Sequence, residues 1–342
     1  MIPLVSPDLT GNEKKYVNDC LDSGYLTYKG KYEAAFEQAL EDKLGKPALV
    51  CSSGTAALHL ALLSMGIGPG DEVIVPDLTF CTTASVVIAV GAKPVLIDVR
   101  PDTFGLDQDR VFKVLNKKTR AIIPVHLYGC DAGEFEQFGI PVIEDSCESL
   151  GMVPPRGRVS CYSFFANKTL TTGEGGALVG DFKNAREWRN GGFDQDYRNT
   201  VPGINYRMTN IQAAIGLAQI ERFDDLLSKR LENASFYKQN LPGMGRWLFC
   251  LKVNNVLEAE EYFKKHGVET RPIFTPLHRS PAFRIYTRGK YKISDSIWES
   301  HICLPTGPHI TKEQREKIAE LAHGFVHIRE SNKRNSKLVT SK

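Results

Sequence analysis

The chain has 342 residues, 42% of them hydrophobic and 24% charged, and 43 Lys and Arg residues against 40 Asp and Glu residues give a formal net charge of +3. The length predicts about two globular domains, and the near-neutral charge gives no indication of a nucleic-acid partner or an anionic membrane. The sequence contains no membrane-length apolar run, and its first residues lack a signal-peptide pattern. The eight cysteines are scattered singly, which predicts reduced thiols, no metal site and a cytoplasmic protein.

Two helices are predicted at the start of the chain. Thr10 and Glu13 match the T-x-x-E capping box ahead of apolar residues at helical spacing, which predicts a helix over residues 11–22 that ends at Gly24. The segment "KYEAAFEQALEDKLG" predicts a second helix that ends near Gly45.

Short apolar runs then alternate with helical patterns. Strands are predicted in "PALVCSS", "DEVIVP", "KPVLIDV", "TRAIIPVHL" and "IPVIEDS", and the intervening helices in "GTAALHLALLSMG", "FCTTASVVIAVG" and "DQDRVFKVL". Strands that are apolar throughout and are separated by helices are typical of a parallel sheet covered on both faces. Such a sheet binds ligands beyond the carboxyl ends of its strands, so the residues that follow each strand are the candidates for chemistry.

The second half of the chain predicts a different architecture. One long helical stretch runs through "MTNIQAAIGLAQIERFDDLLSKRLENASFYKQNL", and after it strands and helices alternate up to a last helix that begins at a second capping box, Thr311 with Gln314. We therefore expect a large domain over residues 1–225 and a small α+β domain over residues 226–330. The polar, basic segment 331–342 lacks periodicity and is predicted to be disordered.

Three strand ends carry candidate ligand-binding residues. In "SSGTAAL" hydroxyl groups and free backbone N–H groups meet at a helix N-terminus, which suits a phosphate, although an ordinary N-cap is an alternative explanation. "VIEDS" ends with Glu144 and Asp145, and because side chains alternate along a strand, only one of the two carboxylates should face the crevice. Phe80 follows "VPDLT" as either a core residue or a platform for a ring.

Lys168 lies in "SFFANKTLTTGEGG", between an apolar run and a glycine-rich turn. An amine whose pKa is lowered by burial or a neighbouring cation can attack a carbonyl carbon. Pyridoxal phosphate (PLP) requires such a lysine, a carboxylate at its pyridine nitrogen, donors for its phosphate and a group that stacks on its ring. Four complementary features at successive strand ends together predict a PLP site.

Six segments resemble, in order, the motifs of the DegT/DnrJ/EryC1/StrS sugar aminotransferases. They are "SSGTAALHLAL", "GPGDEVIVPDLTF", "IIPVHLYG", "VIEDSCESLG", "SFFANKTLTTGEGG" and "NYRMTNIQAAIGLAQIERF", and the likeness spans roughly residues 5–310. It implies a fold-type-I PLP-dependent aminotransferase: an α/β protein whose large domain has a mostly parallel sheet between helices, followed by a smaller α+β domain. It also implies L-glutamate and a nucleotide-linked keto sugar as substrates.

The resemblance assigns roles residue by residue. Lys168 becomes the lysine that bonds to the PLP aldehyde, and Asp145 becomes the partner of the pyridine nitrogen. The remaining cofactor contacts are phosphate ligands at Gly54, Thr55 and Ser163, a stacking ring at Phe80, a neighbour at Glu148, and a phosphate contact across a homodimer interface from Asn205. An acidic residue at position 148 is similar to the branch that aminates C4 of 4-keto-6-deoxy sugars, typified by perosamine synthases.

Substrate contacts are assigned to Arg207 and His278, which are candidates for binding the donor carboxylate or the diphosphate, with a structural role as the alternative. Arg271, in "ETRPIF", is a further candidate. The segments "CDAGEFEQFGIP" and "MVPPRGRVSCY" are short for the family, which predicts a trimmed fold with an intact cofactor site.

Several other functions stay open at the level of sequence. Family members with histidine in place of the lysine are dehydratases, which Lys168 argues against. The motif "NYRMT" weighs against a PLP enzyme that acts on amino acids alone. A C3-aminating enzyme of the same family and a non-catalytic regulatory protein of the same fold are the remaining alternatives, and the sequence leaves the nucleotide undetermined (UDP, dTDP or GDP).

Overall fold

The computed structural model describes residues 1–194 and 196–339. Its helices are α1 (Glu13–Ser23), α2 (Lys31–Leu44), α3 (Gly54–Ser64), α4 (Thr82–Ala89), α5 (Gln108–Val114), α6 (Ala185–Arg189), α7 (Asn210–Glu221), α8 (Phe223–Asn240), α9 (Val256–Lys265), α10 (Lys292–Trp298) and α11 (Lys312–Val339). Its strands are β1 (Ala48–Cys51), β2 (Glu72–Pro76), β3 (Lys93–Ile97), β4 (Thr119–Ile122), β5 (Ile143–Asp145), β6 (Val159–Ser163), β7 (Gly176–Gly180), β8 (Gly243–Met244), β9 (Phe249–Lys252), β10 (Arg271–Pro272) and β11 (His301–Leu304).

Seven strands form the central sheet in the order β3-β2-β4-β5-β6-β7-β1, because the parallel bridges Ile122–Val142 and Val125–Asp145 join its two halves. Strand β7 runs antiparallel to both of its neighbours, β6 and β1, and the other pairs in this sheet are parallel. The sheet is therefore mostly parallel, as predicted. No strand was predicted from the sequence at β7, because its apolar run of three residues is short and has a glycine on each side.

Helices cover both faces of this sheet, and the alternation of strand side chains explains why. In β1, Leu49 and Cys51 pack into one core with α3 and α4. Ala48 and Val50 point to the other face, where they pack with α1, α2 and α7. A strand buried on both faces needs apolar residues at every position, and these four residues fulfil that requirement.

The second sheet is antiparallel and has the order β10-β11-β9-β8. Phe249 and Leu251 on β9 face a core formed with α8, α9 and α11. On the opposite face, Cys250 and Cys303 pack with Tyr128 of the large sheet's loops. The small sheet is thus held against the carboxyl-end loops of the large one, which places its residues beside the predicted site.

Two local predictions are wrong. Helix α1 begins at Glu13 with Asn12 as N-cap, because the hydroxyl and N–H of Thr10 both donate to Asp8 Oδ1, at 2.7 and 3.1 Å, instead of capping the helix. The long helical stretch breaks at Arg222, whose guanidinium donates to both carboxylate oxygens of Asp8. The break lets α7 pack on the large sheet while α8 leads to the small one.

The other capping box forms as predicted. Thr311 N donates to Gln314 Oε1 at 3.1 Å, and Gln314 N donates to Thr311 Oγ1 at 3.2 Å. The helix that starts there continues through residues 331–339, which the sequence predicted as disordered; residues 340–342 lie outside the described residues. Propagating an existing helix is far easier than nucleating one, and this segment contains no Pro or Gly that would end it.

The first residues of the chain contact the small domain. Ile2 N donates to Gly267 O at 2.7 Å, and Glu269 N donates to Ile2 O at 2.9 Å. The division of the chain at residues 225 and 226 stays a prediction. Among the described residues, no helix is long and apolar enough to cross a membrane.

Candidate active site

A cavity of about 360 Å³ opens at the carboxyl ends of the parallel strands, beside the small domain. This volume lies in the range of small-molecule sites. The lining of the cavity includes Ser53, Gly54, Thr55, Thr79, Phe80, Asp145, Cys147, Glu148, Ser163, Asn167, Lys168, Trp247, Arg271 and Phe274. The cavity thus brings together seven of the residues predicted from the sequence as cofactor contacts: Gly54, Thr55, Phe80, Asp145, Glu148, Ser163 and Lys168.

Asp145 is the last residue of β5 and points into the cavity. Thr83 Oγ1 donates to its Oδ2 at 2.7 Å, and Cys147 N donates to its Oδ1 at 3.2 Å. Both carboxylate oxygens are therefore held in place, and the residue is buried, with only 6% of its surface exposed. A buried carboxylate held by donors is suited to stabilise a proton on a ring nitrogen.

Glu144, one residue earlier on the same strand, points away from the cavity. Its carboxylate accepts hydrogen bonds from Ser160 Oγ and from Arg156 N, and it lies 3.4 Å from His126 Nε2. The alternation expected for the pair is thus present. Glu144 belongs to the buried support beneath the site.

Lys168 lies in the loop between β6 and β7 with its side chain largely buried. Its Nζ lies 3.5 Å from Glu148 Oε1 and 4.0 Å from the ring centroid of Trp247. The loop around it is fixed, because Lys168 N donates to Phe165 O and Trp247 Nε1 donates to Asn167 O. The amine therefore has a defined position against one carboxylate and one aromatic face.

Glu148 is placed beside this amine, as the resemblance implied. Its Oε2 accepts from Tyr128 N at 2.8 Å. Burial raises the pKa of Glu148, and the charge of Lys168 opposes this shift only in part. Tyr128 has a left-handed backbone conformation, with φ of 53°. This conformation is uncommon for a residue other than glycine, and in it the Tyr128 N–H points at Glu148.

The candidate phosphate site lies where β1 meets α3. Ser53 Oγ accepts from Ala56 N at 3.0 Å as the N-cap of α3. The capping interpretation is thus correct, yet the hydroxyl proton of Ser53 stays available, and the first N–H groups of a helix have no intrahelical acceptor. Thr55 and Ser163 add hydroxyls to the same end of the cavity.

Gly176 allows this arrangement by close approach of two backbones. A Cβ on Gly176 would lie 2.4 Å from the carbonyl carbon and oxygen of Ser53 and 2.6 Å from Gly54 N. Any side chain there would displace the turn at the start of α3. The glycine-rich segment therefore shapes this end of the cavity from the neighbouring strand.

An aromatic cluster forms the remaining walls. Phe80 is 50% exposed at the cavity edge, with its ring centroid 5.4 Å from that of Phe274. Tyr128 stacks against Phe274 at 5.5 Å and against Trp247 at 6.2 Å. A half-exposed ring such as Phe80 can stack on a ligand, whereas a core residue could not.

His278 lies outside the cavity lining. Its Nδ1 is 2.7 Å from Asp77 Oδ2, its Nε2 is 3.1 Å from Asp295 Oδ1, and its ring stacks on Tyr291. The structure does not bring His278 to the cavity, because both ring nitrogens already face carboxylates, and its substrate contact stays a prediction. In this structure His278 links the segment after β2 to helix α10.

Asn205 and Arg207 also lie away from the cavity of their own chain. Asn205 is exposed and forms a β-bridge with Asn190. Arg207 Nη1 donates to Asn190 O at 3.1 Å, and its guanidinium carbon lies 4.3 Å from the ring centroid of Tyr28. The phosphate contact of Asn205 across a dimer interface and the substrate contact of Arg207 stay predictions.

Sequence reasoning missed two functional neighbours, Thr83 and Trp247, and ranked Arg271 below other candidates. Thr83 lies in the first turn of α4 and reaches Asp145 from 62 positions away. Trp247 lies just before β9 in "GRWLF" and meets Lys168 only through the packing of the two domains. No local pattern in the sequence connects either residue with the site.

The residues present fit PLP. Asp145 suits the pyridine nitrogen, the hydroxyls and N–H groups at the start of α3 suit the phosphate, Phe80 suits the ring, and Lys168 suits the aldehyde. When bound, PLP supplies an aldehyde that accepts an amine and a ring that accepts an electron pair. The fold and the site together define the class of the protein: a PLP-dependent enzyme with the fold-type-I architecture.

The chain belongs to the DegT/DnrJ/EryC1/StrS aminotransferase family, whose model matches residues 7–322. It is 37% identical to the GDP-perosamine synthase of Caulobacter vibrioides over 93% of this chain and 96% of that one. The GDP-perosamine synthase of Escherichia coli O157:H7 is also 37% identical, over 95% of this chain and 98% of that one.

Solved structures give the same result. The sugar aminotransferase CalS13 of Micromonospora echinospora matches with a TM-score of 0.86 at 27% identity, over 94% of this chain and 99% of that one. A Streptococcus pneumoniae protein described as a candidate sugar aminotransferase, in its PMP form, matches with a TM-score of 0.87 at 28% identity, over 98% and 99%. The chain is thus a PLP-dependent sugar aminotransferase.

Proposed function

We propose that the protein transfers the amino group of L-glutamate to C4 of a nucleotide-diphosphate-linked 4-keto-6-deoxy-hexose, with GDP as the nucleotide. The observation that carries this proposal is the end-to-end similarity to GDP-perosamine synthases at 34–37% identity, including that of Vibrio cholerae. The placement of Glu148 beside Lys168 supports it, since an acidic residue at this position resembles the C4-aminating branch.

Lys168 carries the proton transfers in this proposal. Its amine, released when the donor binds, takes a proton from Cα of glutamate in the first half-reaction. In the second half-reaction it returns a proton to C4 of the sugar. The contact of 3.5 Å with Glu148 and the Trp247 face beneath it orient Nζ for both transfers.

Asp145 holds a proton on the pyridine nitrogen throughout. Its two carboxylate oxygens are already oriented by Thr83 and by Cys147 N, so little reorganisation is needed when the charge pair forms. The helix N-terminus at Ser53 and Thr55 binds the phosphate and fixes the cofactor at the other end.

The protein is further proposed to act as a cytoplasmic homodimer with shared sites. Asn205 and Arg207 do not line the cavity of their own chain, which supports their acting on a second subunit's cavity. Mixing inactive Lys168→Ala with a weakened Asn205→Ala variant tests the sharing. Hybrid dimers should regain activity in one of their two sites, whereas independent sites would give no gain on mixing.

The reaction is tested with purified protein, PLP, glutamate and a panel of GDP-, UDP- and dTDP-linked 4-keto-6-deoxy and 3-keto sugars. The product is identified by mass spectrometry and NMR. A C4 amine on a GDP-linked sugar supports the proposal, and turnover of none of the 4-keto sugars would contradict it.

A C3-aminating activity is the second candidate. The chain is 32% identical to a UDP-2-acetamido-2-deoxy-3-oxo-D-glucuronate aminotransferase of Pseudomonas aeruginosa over 87% of this chain and 94% of that one. The same panel separates the two activities, because the position of the new amine is read directly from the NMR spectrum of the product.

A further inference from the structure

Two threonines close the base of the loop that carries Lys168. Thr171 Oγ1 donates to Phe164 O at 3.2 Å and accepts from Gly173 N at 3.0 Å. Thr172 N donates to the same carbonyl oxygen of Phe164 at 2.9 Å. The loop between Phe164 and the threonines therefore leaves and returns at one point, where its two ends are bonded to each other.

The second threonine hydroxyl fixes the path of the chain into β7. Thr172 Oγ1 donates to Glu174 O at 2.6 Å, and Phe164 N donates to Gly175 O at 2.8 Å. A Cβ on Gly175 would lie 2.2 Å from Thr172 Oγ1, so a glycine is needed where this hydroxyl lies. The hydrogen bonds between β6 and β7 thus continue past the strand ends, toward the loop with the lysine.

Both threonines are buried, and neither lines the cavity. Helix α7 supports them from outside the loop, because Gln219 Oε1 accepts from Thr171 N at 3.5 Å and Gln212 Nε2 donates to Glu174 O at 2.8 Å. Hydrogen bonds in a buried setting are stronger than in water. Any effect of the two hydroxyls on catalysis must therefore pass through the loop that they hold.

That loop determines where the amine of Lys168 lies. Lys168 N donates to Phe165 O at 2.9 Å, and its Nζ lies 3.5 Å from Glu148 Oε1. The loop is tied to the small domain through Trp247 Nε1, which donates to Asn167 O at 3.1 Å. Displacing a reacting group by about 1 Å can cost about 100-fold in rate. A change at the base of this loop is therefore expected to alter proton transfer without altering any ligand contact.

We propose that Thr171 and Thr172 are positioning residues, whose hydroxyls hold the loop so that Lys168 Nζ reaches the carbon atoms between which it moves protons. This inference rests on the proposed function, in which Lys168 carries those transfers. A role in folding alone would lower stability and leave proton transfer in the folded enzyme unchanged, so the two roles differ in what they predict.

The test compares Thr171→Val and Thr172→Val with the serine variants at the same positions. Valine keeps the shape of threonine and loses the hydroxyl, whereas serine keeps the hydroxyl. Thr119→Val is the matched control, because Thr119 is also buried, its Oγ1 accepts from Asn116 N at 3.1 Å, and it lies at the start of β4 outside the cavity lining.

The first arm follows the glutamate half-reaction of the PLP-loaded enzyme in single turnovers, with glutamate and with glutamate deuterated at Cα. Each valine variant should slow the reaction about 10- to 30-fold, with a deuterium isotope effect at least as large as that of the wild type. The half-saturating glutamate concentration should stay within about threefold. The serine variants should recover the rate to within about threefold, and Thr119→Val should match the wild type.

The second arm needs no donor. In the cofactor-free protein, hydrogen exchange of the backbone N–H groups of Lys168, Thr172 and Gly173 should be about tenfold faster in Thr171→Val than in the wild type, the size of one lost hydrogen bond. The rate at which the same protein captures added PLP, followed by absorbance, should fall by about tenfold. Thr119→Val should change neither measurement.

Unchanged rates in both valine variants, or a smaller isotope effect together with a slower reaction, would overturn the proposal. An equal loss in Thr119→Val would do the same, since it would show a general effect of removing a buried hydroxyl. If a valine variant does not fold, the serine variant at that position and the other valine variant carry the test. If wild-type enzyme does not react with glutamate, the proposed function fails, while hydrogen exchange and PLP capture still decide the role of the threonines.

Discussion

The two walls of the cavity differ in how completely their polar groups are paired. On the large-domain wall, both oxygens of Asp145 have donors, and Ser53 caps α3. On the small-domain wall, two buried nitrogens of Arg271 have no acceptor among the described residues, and aromatic rings hold the guanidinium instead. The first wall is paired within the chain, whereas the second holds a guanidinium that is only partly paired by the described residues.

This difference corresponds to the two kinds of molecule that the site must hold. A cofactor stays through many turnovers, so its binding groups can be fixed permanently by hydrogen bonds. Donor and sugar enter in turn, so their binding groups must pair and separate in each cycle. Donors on the small-domain wall that have no acceptor among the described residues would meet that need, at a cost in stability that a bound anion would offset.

The largest effect should come from the amine that lies between the two walls. Lys168→Ala removes the group to which the proposed mechanism assigns the proton transfers, and we expect turnover to fall by at least about 1,000-fold. Multiple-turnover assays with glutamate and keto sugar measure this loss. Lys168→Arg keeps a cation near Glu148 but supplies a poor base, so it should be similarly inactive. Turnover near the wild-type rate in either variant would refute the assigned role.

Asp145 tests the wall that is paired in advance. Asp145→Asn keeps the size of the side chain but cannot balance a protonated pyridine nitrogen, so the glutamate half-reaction should slow by about 100-fold or more. Dialysis followed by absorbance spectroscopy should show that PLP is still bound.

Thr83→Val is the matched control for Asp145, because it removes only the hydroxyl that donates to Oδ2. We expect about a tenfold loss in the half-reaction rate, the size of one hydrogen bond to a charged group. If Thr83→Val were as damaging as Asp145→Asn, the orientation of the carboxylate would matter more than its charge.

Trp247 belongs to the other wall. Trp247→Phe keeps an aromatic face under Lys168 but weakens the cation–π contact and removes the hydrogen bond to Asn167 O. The glutamate half-reaction should slow by about tenfold, and circular dichroism should confirm the fold. An unchanged rate would show that Trp247 serves packing alone.

The sequence was informative where chemistry follows a strand directly. Asp145, Lys168 and the turn at Ser53 each lie at the end of a strand or in the loop after it, and parallel sheets gather such positions at one edge. Local patterns also identified the capping box at Thr311. These features depend on residues close to one another in the chain.

The rest of the site could not be derived in this way. Trp247 and Arg271 enter the cavity only because the second sheet packs on Tyr128, and that contact depends on the whole arrangement of the domains. The same holds for Thr83, since an ordinary threonine in a first helical turn resembles many others. His278 shows the opposite limit, because a motif position alone does not reveal that both ring nitrogens already face carboxylates.

The smallest effect concerns Glu148, which lies where the two walls meet, and it is an effect on stability. Burial raises the pKa of Glu148 in the folded protein above its value in the unfolded chain. The protonated form is therefore favoured by folding: its contribution is fully present below the unfolded pKa of about 4.3 and is lost as the pH rises through the higher folded value. At pH 8 Glu148 therefore contributes less to the stability of the folded state than it does at low pH.

Glu148→Gln removes this titration while keeping an acceptor for Tyr128 N. At pH 8 the Tm of the cofactor-free variant should exceed that of the wild type by about 2 °C, the scale of an ordinary single substitution in a chain of this size. The difference should shrink as the pH falls toward 4, where the wild-type carboxyl also becomes neutral. Calorimetric scans across this pH range measure it. A wild type that is more stable at pH 8 would mean that the contact with Lys168 outweighs burial, so that this part of the cavity is paired as completely as the large-domain wall.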